Sequence, residues 1–258
     1  MPELEKNIQE QSAFANALLK MNVQGAVIEH ARWIILDSIG CILCGLNGHS
    51  PGRSTDERIM DLSAAMVSTE LYEGNRKAVG HPACHLLPLL LSEAAGRGIP
   101  WGEFLRIFVA GYEIAARWGA AVQFPTHILG HGTVMAAGAA VMLCMLAGQP
   151  EEEMYETILL ANSLPSVSVW QSVYDGSQLH DIYPGLAAIT ARNSQSMRRL
   201  GAKSTSTILR DVLEKVMGAT LHPGALTMGL GHEYWINSNY FKVHTGCRFI
   251  HPFDDVLA

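Results

Sequence analysis

Apolar positions recur along most of this chain at intervals of three and four residues, the spacing that lines one face of a helix. From Gln24 to Leu46 the interval is kept by Val27, Ala31, Ile34, Ile35, Ile39, Ile42 and Leu43, and Gly45 and Gly48 close the run. Asp37 and Gly40 interrupt this face, a pairing suited to close packing or a buried hydrogen bond. A shorter helix, residues 12–20, precedes it, and Met1 to Gln11 is polar and acidic. Thr55-x-x-Arg58 opens a helical segment reaching about Glu70. Ala83 to Ala95 is helical, and Trp101 to Val122 is a long helix carrying Phe104, Phe108, Ala115 and Trp118. Glu151-Glu152-Glu153 starts a further helix at its favourable acidic end, and it stops near Pro165. Tyr183 to Leu200 and Leu209 to Met217 follow.

One segment has no polar face. Val134 to Ala147 combines bulky Val and Met residues with the small run Ala136-Ala137-Gly138-Ala139-Ala140, closed by Gly148-Gln149-Pro150. A helix that is apolar all round is buried, so this one belongs at the centre of a helical domain. Its mouth, Gly130-His131-Gly132-Thr133, is polar and sits where unpaired N–H groups attract anions. The simplest reading is that Thr133 caps the helix and His131 fills a polar niche.

Three stretches break the helical pattern. Glu70 to Pro82 is irregular and rich in groups that bind or move protons, and residues 166–182 are loop-like. From Leu221 breakers accumulate, and Ile236 to Val243 has strand character. With about nine helices and no paired strands before residue 236, the expected class is mainly α. Residues 1–235 form a large all-helical domain and residues 236–258 only the beginning of a second one. The chain stops inside Phe253 to Ala258, which reads as a helix just beginning and therefore as a fragment or truncated gene product.

Composition narrows the function. Of 258 residues, 48% are hydrophobic and 16% charged, below the roughly 25% charge of soluble domains. So little charge leaves much surface to cover, and a homodimer is expected. A net charge of −6 without a basic run argues against nucleic acid. The apolar helices carry Gly, Ser, Asp or Arg too often to span a bilayer, so no membrane partner is expected. The acidic N-terminus is not a secretory signal. Five cysteines, an odd number, read as reduced thiols in a cytoplasmic protein. Cys41-x-x-Cys44 lies mid-helix without a second pair. No glycine-rich phosphate loop is present, so neither a metal nor an organic cofactor is expected.

Six stretches, in order, resemble the MmgE/PrpD family, which includes 2-methylcitrate dehydratase, cis-aconitate decarboxylase and iminodisuccinate epimerase. Leu36-Asp37-Ser38-Ile39-Gly40 resembles its "LDtlG" helix, and Gly80-His81-Pro82 with Leu87-Pro88-Leu89-Leu90-Leu91 its "HP…PALLA" segment. Val109-Ala110-Gly111-Tyr112-Glu113 is similar to "aGyEv", and Gly130-His131-Gly132-Thr133 to "GfHxT". Tyr183-Pro184-Gly185-Leu186-Ala187-Ala188 resembles "hxGxAA", and Tyr240-Phe241-Lys242 with Cys247-Arg248 and His251 the "fKxyxxCrxxH" that opens the second domain. The resemblance implies an all-helical domain, a smaller α+β lid, and an active site between them.

It also implies a chemistry. The family's reactions share a proton transfer at a carbon next to a carboxylate, which needs a base near neutral pKa and cations to hold carboxylates. On that pattern His81 and His131 are the acid/base candidates. Lys242 and His180 hold carboxylates, His180 standing where the family often has Lys or Arg. Glu70 or Glu73, remnants of an acidic site, orient a histidine or relay a proton. Thr133 donates to substrate or caps the helix. Asn75 is a further substrate-binding candidate and Arg76 a second anion contact, although both, with Tyr72, also read as loop structure. His222, His232 and His251 read as structural; His85 and His127 carry no assignment. The implied function is a cofactor-independent lyase, a dehydratase or decarboxylase of a small di- or tricarboxylate. The alternatives are an epimerase on the same fold and an inactive helical dimerisation module.

Overall fold

The structure, a computed structural model, describes residues 2–257. The first five helices are α1 Pro2–Leu18, α2 Gly25–Leu46, α3 Thr55–Ser68, α4 Pro82–Ala94 and α5 Trp101–Ala121. Then come α6 Ala136–Leu146, α7 Glu151–Ser163, α8 Gln171–Tyr174, α9 Leu179–Arg199, α10 Ser206–Arg210 and α11 His251–Leu257. The class is mainly α, as expected. Among the described residues no helix is long and apolar enough to cross a membrane.

Helix α6 is buried along Ala136–Met145 and packs against α5, α7 and α9. Its small residues explain how neighbours come so close. A Cβ built on Gly138 would lie 2.3 Å from the Gly111 carbonyl oxygen and 2.7 Å from Ala115 Cβ, so the α5 and α6 backbones nearly touch. Overpacking a tight core costs about 1–3 kcal/mol or more. Gly138→Val is therefore expected to lower the melting temperature in a calorimetric scan by several degrees; an unchanged melt would mean that the two helices slide apart freely.

Several boundaries depart from the sequence expectation. The polar N-terminal segment is helical: α1 starts at Pro2 rather than residue 12, because Leu4, Ile8, Ala15 and Leu18 share one buried face. Helix α9 starts at Leu179, one turn before Tyr183, with Pro184 inside it. Thr133 does not cap α6. Residues 131–135 are turns, Gly132 adopts φ +81°, and the amides of Ala136, Ala137 and Gly138 donate to the carbonyls of Thr133, Val134 and Met135. Those N–H groups are spent within the chain and do not face outward toward an anion.

Short strands occur before residue 236, contrary to expectation. Strand β1 (Gly74–Asn75), in the irregular segment, pairs antiparallel with β4 (Asn239–Tyr240), and β2 (Val122–Gln123) pairs with β3 (Thr220–Leu221). The first pairing ties residues 239–242 to the segment that leads into α4. Any residue but Gly at 74 would collide with the Tyr240 ring, which lies within 2.8 Å of where a Cβ would stand.

Candidate active site

The site is built around the start of α4. His81 is the residue just before the first helical turn, Pro82 sets the entering φ, and the Glu73 carboxylate accepts the Ala83 N–H at 2.8 Å. The carbonyl of Glu73 in turn accepts from His81 Nδ1 at 2.6 Å. A carbonyl can only accept, so Nδ1 carries the proton and Nε2 keeps its lone pair.

His131 reaches the same place from the turns before α6. Its ring lies 5.2 Å from that of His81, 5.7 Å from that of His85 and 5.3 Å from that of His180, on which it stacks. The loop that carries it is held by the buried Ser168 hydroxyl, 2.6 Å from the Leu129 carbonyl and 2.5 Å from the His131 carbonyl. His131 Nδ1 is buried and makes no hydrogen bond. Tyr72 closes one side, its ring 4.6 Å from His81.

Charge enters from two sides. The buried Lys242 ammonium lies 4.5 Å over the Tyr72 ring and donates to the Glu70 carbonyl at 3.0 Å and its carboxylate at 3.3 Å. His180 Nδ1 is 3.2 Å from Asp181 and 3.9 Å from the other Glu70 oxygen. Glu70 sits at φ +53°, a left-handed conformation that costs a non-glycine residue about 1 kcal/mol or more and that clusters at functional sites. Glu70 is thus the internal counter-ion of Lys242 and lies beside His180, the two groups expected to hold substrate carboxylates.

Desolvation governs protonation here. Burial, with Lys242 close by, pushes His81 down to about 3, and burial pushes His85 down to about 4. His131 is held well below its ordinary value by burial and then by the neighbouring histidines. Burial lifts the Glu73 carboxyl to about 7 against the opposing hydrogen bonds from Tyr112, Ala83 and Asn239. At neutral pH His81, His85 and His131 are therefore uncharged imidazoles beside the buried Lys242 side chain, an arrangement able to accept a proton and stabilise negative charge.

Of the expected residues, the fold brings together His81, His131, His180, Lys242 and Glu70. Glu73 is adjacent but differently engaged: it orients His81 through its carbonyl, while its carboxylate caps α4 and binds Tyr112 and Asn239. The Asn75 side chain is consumed locally, donating to the Trp235 carbonyl and accepting from the Lys77 and Ala78 amides. Arg76 is exposed, and its backbone N–H pairs with Ser238. The Thr133 hydroxyl donates to the Gly130 carbonyl at 2.7 Å and is buried. Sequence reasoning passed over His85, Tyr72 and Ser168 as members of the site. For His85 a signal existed, since His81 and His85 are four apart at the start of a helix; Tyr72 and Ser168 sit in irregular chain with no periodicity to read.

The sequence model of the MmgE/PrpD N-terminal domain matches residues 59–218. That span contains Glu70, Glu73, His81, His131 and His180; Lys242 lies beyond it. No curated protein matches the chain.

Proposed function

The chain belongs to the MmgE/PrpD family, and from that premise we propose that it is a cofactor-independent lyase that moves a proton next to a carboxylate in a small di- or tricarboxylate. The observation that carries this reading is the pair of uncharged imidazoles, His81 and His131, 5.2 Å apart beside the buried Lys242 ammonium.

His81 Nε2 is the base. Its partner nitrogen is anchored on the Glu73 carbonyl, so an imidazolium formed at His81 is stabilised in place. In the free protein its low pKa makes it a weak base, but a polyanionic substrate reverses the local charge and raises that pKa toward neutrality. Lys242 and His180 bind the substrate carboxylates and the negative charge that develops when the C–H bond breaks. In dehydration the bound carboxylates raise the pKa of His131 as well, so that it enters as the imidazolium; the C–H electron pair becomes the new C=C bond, the C–O bond breaks, and His131 gives the leaving hydroxyl its proton. In decarboxylation the C–C electron pair stays on carbon as CO2 leaves, and a histidine protonated in the substrate complex gives its proton to that carbon.

Residues 236–258 are, on this reading, the start of the family's lid, supported by the delivery of Lys242 into the site of the helical domain. The chain acts as a homodimer, a reading supported by Trp33, Leu36 and Leu43, which α2 leaves exposed. Five unpaired cysteines support a cytoplasmic setting.

The test is NMR in deuterium oxide with citrate, 2-methylcitrate, cis-aconitate and iminodisuccinate. Loss of a C–H signal with release of water or CO2 is the expected result. Racemisation with deuterium uptake and no lost group would replace the lyase by an epimerase. No exchange with any of the four would sink the reading.

A further inference from the structure

The two acid/base histidines come from separate elements, His81 from the start of α4 and His131 from the turns before α6. Proton transfer needs their rings held to about half an ångström, yet no hydrogen bond runs between the rings. What joins their main chains is a third imidazole. His85 Nδ1 lies 2.9 Å from the His81 carbonyl, and His85 Nε2 accepts the Gly132 N–H at 3.1 Å. One nitrogen faces an acceptor and the other a donor, so the ring fits as the neutral tautomer with its proton on Nδ1.

We propose that His85 is a positioning residue, a neutral imidazole strut that sets the separation of the His81 and His131 rings. The inference rests on the acid/base reading given above for those two residues. Three features of the surroundings support it. His85 is fully buried, and its ring is 5.7 Å from that of His131, so it stands behind the pair. Gly132 is fixed as well: at φ +81°, with the Tyr183 carbonyl oxygen 2.6 Å from where a Cβ would stand, it has little freedom to carry the His131 loop elsewhere. The Ser168 hydroxyl holds the same loop from the opposite side through the His131 carbonyl. Burial also keeps the His85 ring uncharged at neutral pH, as the strut requires.

The experiment compares the full chain with His85→Gln, which keeps one donor and one acceptor, and His85→Leu, which keeps neither. The first readout is spectroscopic and independent of turnover. Long-range 1H–15N spectra of 15N-histidine-labelled protein at pH 7 should show His85 as the neutral tautomer protonated on Nδ1. A charged ring, or a proton on Nε2, would overturn the proposal without any variant having to fold. In folded His85→Leu the His131 ring signals should shift and the Gly132 amide should lose its protection from exchange, while His85→Gln retains both. Unmoved signals in His85→Leu would also overturn it.

The second readout is deuterium exchange with the same four carboxylates. Misplacing a reacting group by about 1 Å costs about 100-fold, so His85→Leu should lower kcat by roughly that factor at nearly constant KM, and His85→Gln should restore most of it. A change confined to KM would make His85 a binding residue and end the positioning role. If the unaltered protein exchanges none of the four, the acid/base reading fails at that point, whereas the tautomer and the His131 shifts still decide the strut.

Discussion

Replacing His131 by Leu is expected to abolish proton exchange while leaving the protein as stable as before, or more so. General acid–base groups contribute about 10²–10⁴ in rate, so kcat should fall at least a hundredfold with whichever carboxylate the unaltered chain exchanges. Stability should go the other way because His131 Nδ1 is buried with no hydrogen-bond partner. An unsatisfied buried polar atom costs about 1–3 kcal/mol, and a leucine of similar volume removes that cost. His81→Leu should lose activity to the same extent but also stability, since it gives up the bond to the Glu73 carbonyl at the head of α4. Thermal melts beside deuterium-exchange rates check both. A His131→Leu protein that melts far lower, with activity lost in proportion, would make His131 a structural residue. The pH profile adds an independent sign. Burial holds His81 near 3 in the free protein and lowers His85 and His131 as well. After correction for substrate ionisation, the buried Glu73 carboxyl, lifted to about 7, is the group expected to give kcat/KM a limb between pH 7 and 5. That limb should vanish in Glu73→Gln; a limb near 6.5 that survives in Glu73→Gln would mean that the base is a solvated imidazole.

The part of the site that was legible in the sequence is the part whose side chains carry the chemistry. His81, His131, His180 and Lys242 carry side chains whose chemistry announces itself, and the fold gathers all four around Tyr72 and Glu70. Illegible were the roles that depend on the main chain. Nothing in the identity of Glu73 reveals that its carbonyl, rather than its carboxylate, meets His81, because that follows from the turn that precedes α4. Asn75 looks like a substrate ligand by residue type, yet β1 pairing puts its amide against the Trp235 carbonyl and its oxygen against two amides. Thr133 failed as a cap for a related reason: the first turn of the apolar run is tight, and α6 begins three residues later.

The fold itself was largely readable where burial and polarity coincide, and unreadable where polar side chains face the core. Helix α1 is the clearest case. Leu4, Ile8, Ala15 and Leu18 keep helical spacing, but Asn7 and Gln11 share the buried face and blur it. Both are paid for at long range: Asn7 donates to the Pro223 carbonyl, and Gln11 donates to the Leu226 carbonyl while accepting from Trp118 Nε1. A sequence pattern cannot show partners two hundred residues away. Likewise the segment expected as one helix over 209–217 is the short α10 followed by a π-helical stretch, Asp211–Val216, a change of hydrogen-bond register that apolar periodicity does not record.

The largest expected loss of stability follows from another pair of buried polar groups. Glu113 and Arg117, one turn apart on α5, are both fully buried and ion-paired. Together they seize the chain ahead of the site. The Glu113 carboxylate accepts the Trp235 and Ile236 amides at 3.0 and 2.7 Å, and Arg117 donates to the Glu233 carbonyl at 2.9 Å with its guanidinium 4.6 Å over the Trp235 ring. Glu113→Ala would strand a buried guanidinium and two amides. Breaking one side of such a pair costs about 3–5 kcal/mol, or roughly 6–20 °C in melting temperature for a chain of this size. The double variant Glu113→Leu/Arg117→Met should melt higher than Glu113→Ala, because no charge is then left unpaired. A Glu113→Ala protein that melts within about 2 °C of the original would show that the clamp contributes little. Function should follow the clamp, because β4 begins only three residues beyond Ile236 and Lys242 lies six beyond it. Where the double variant folds with residues 233–236 loosened, Lys242 is held less firmly against Tyr72 and Glu70. KM for the exchanged carboxylate should then rise more than kcat falls, the reverse of the split expected for His85→Leu, and the two kinetic signatures separate the residue that holds the base pair from the one that holds the cation.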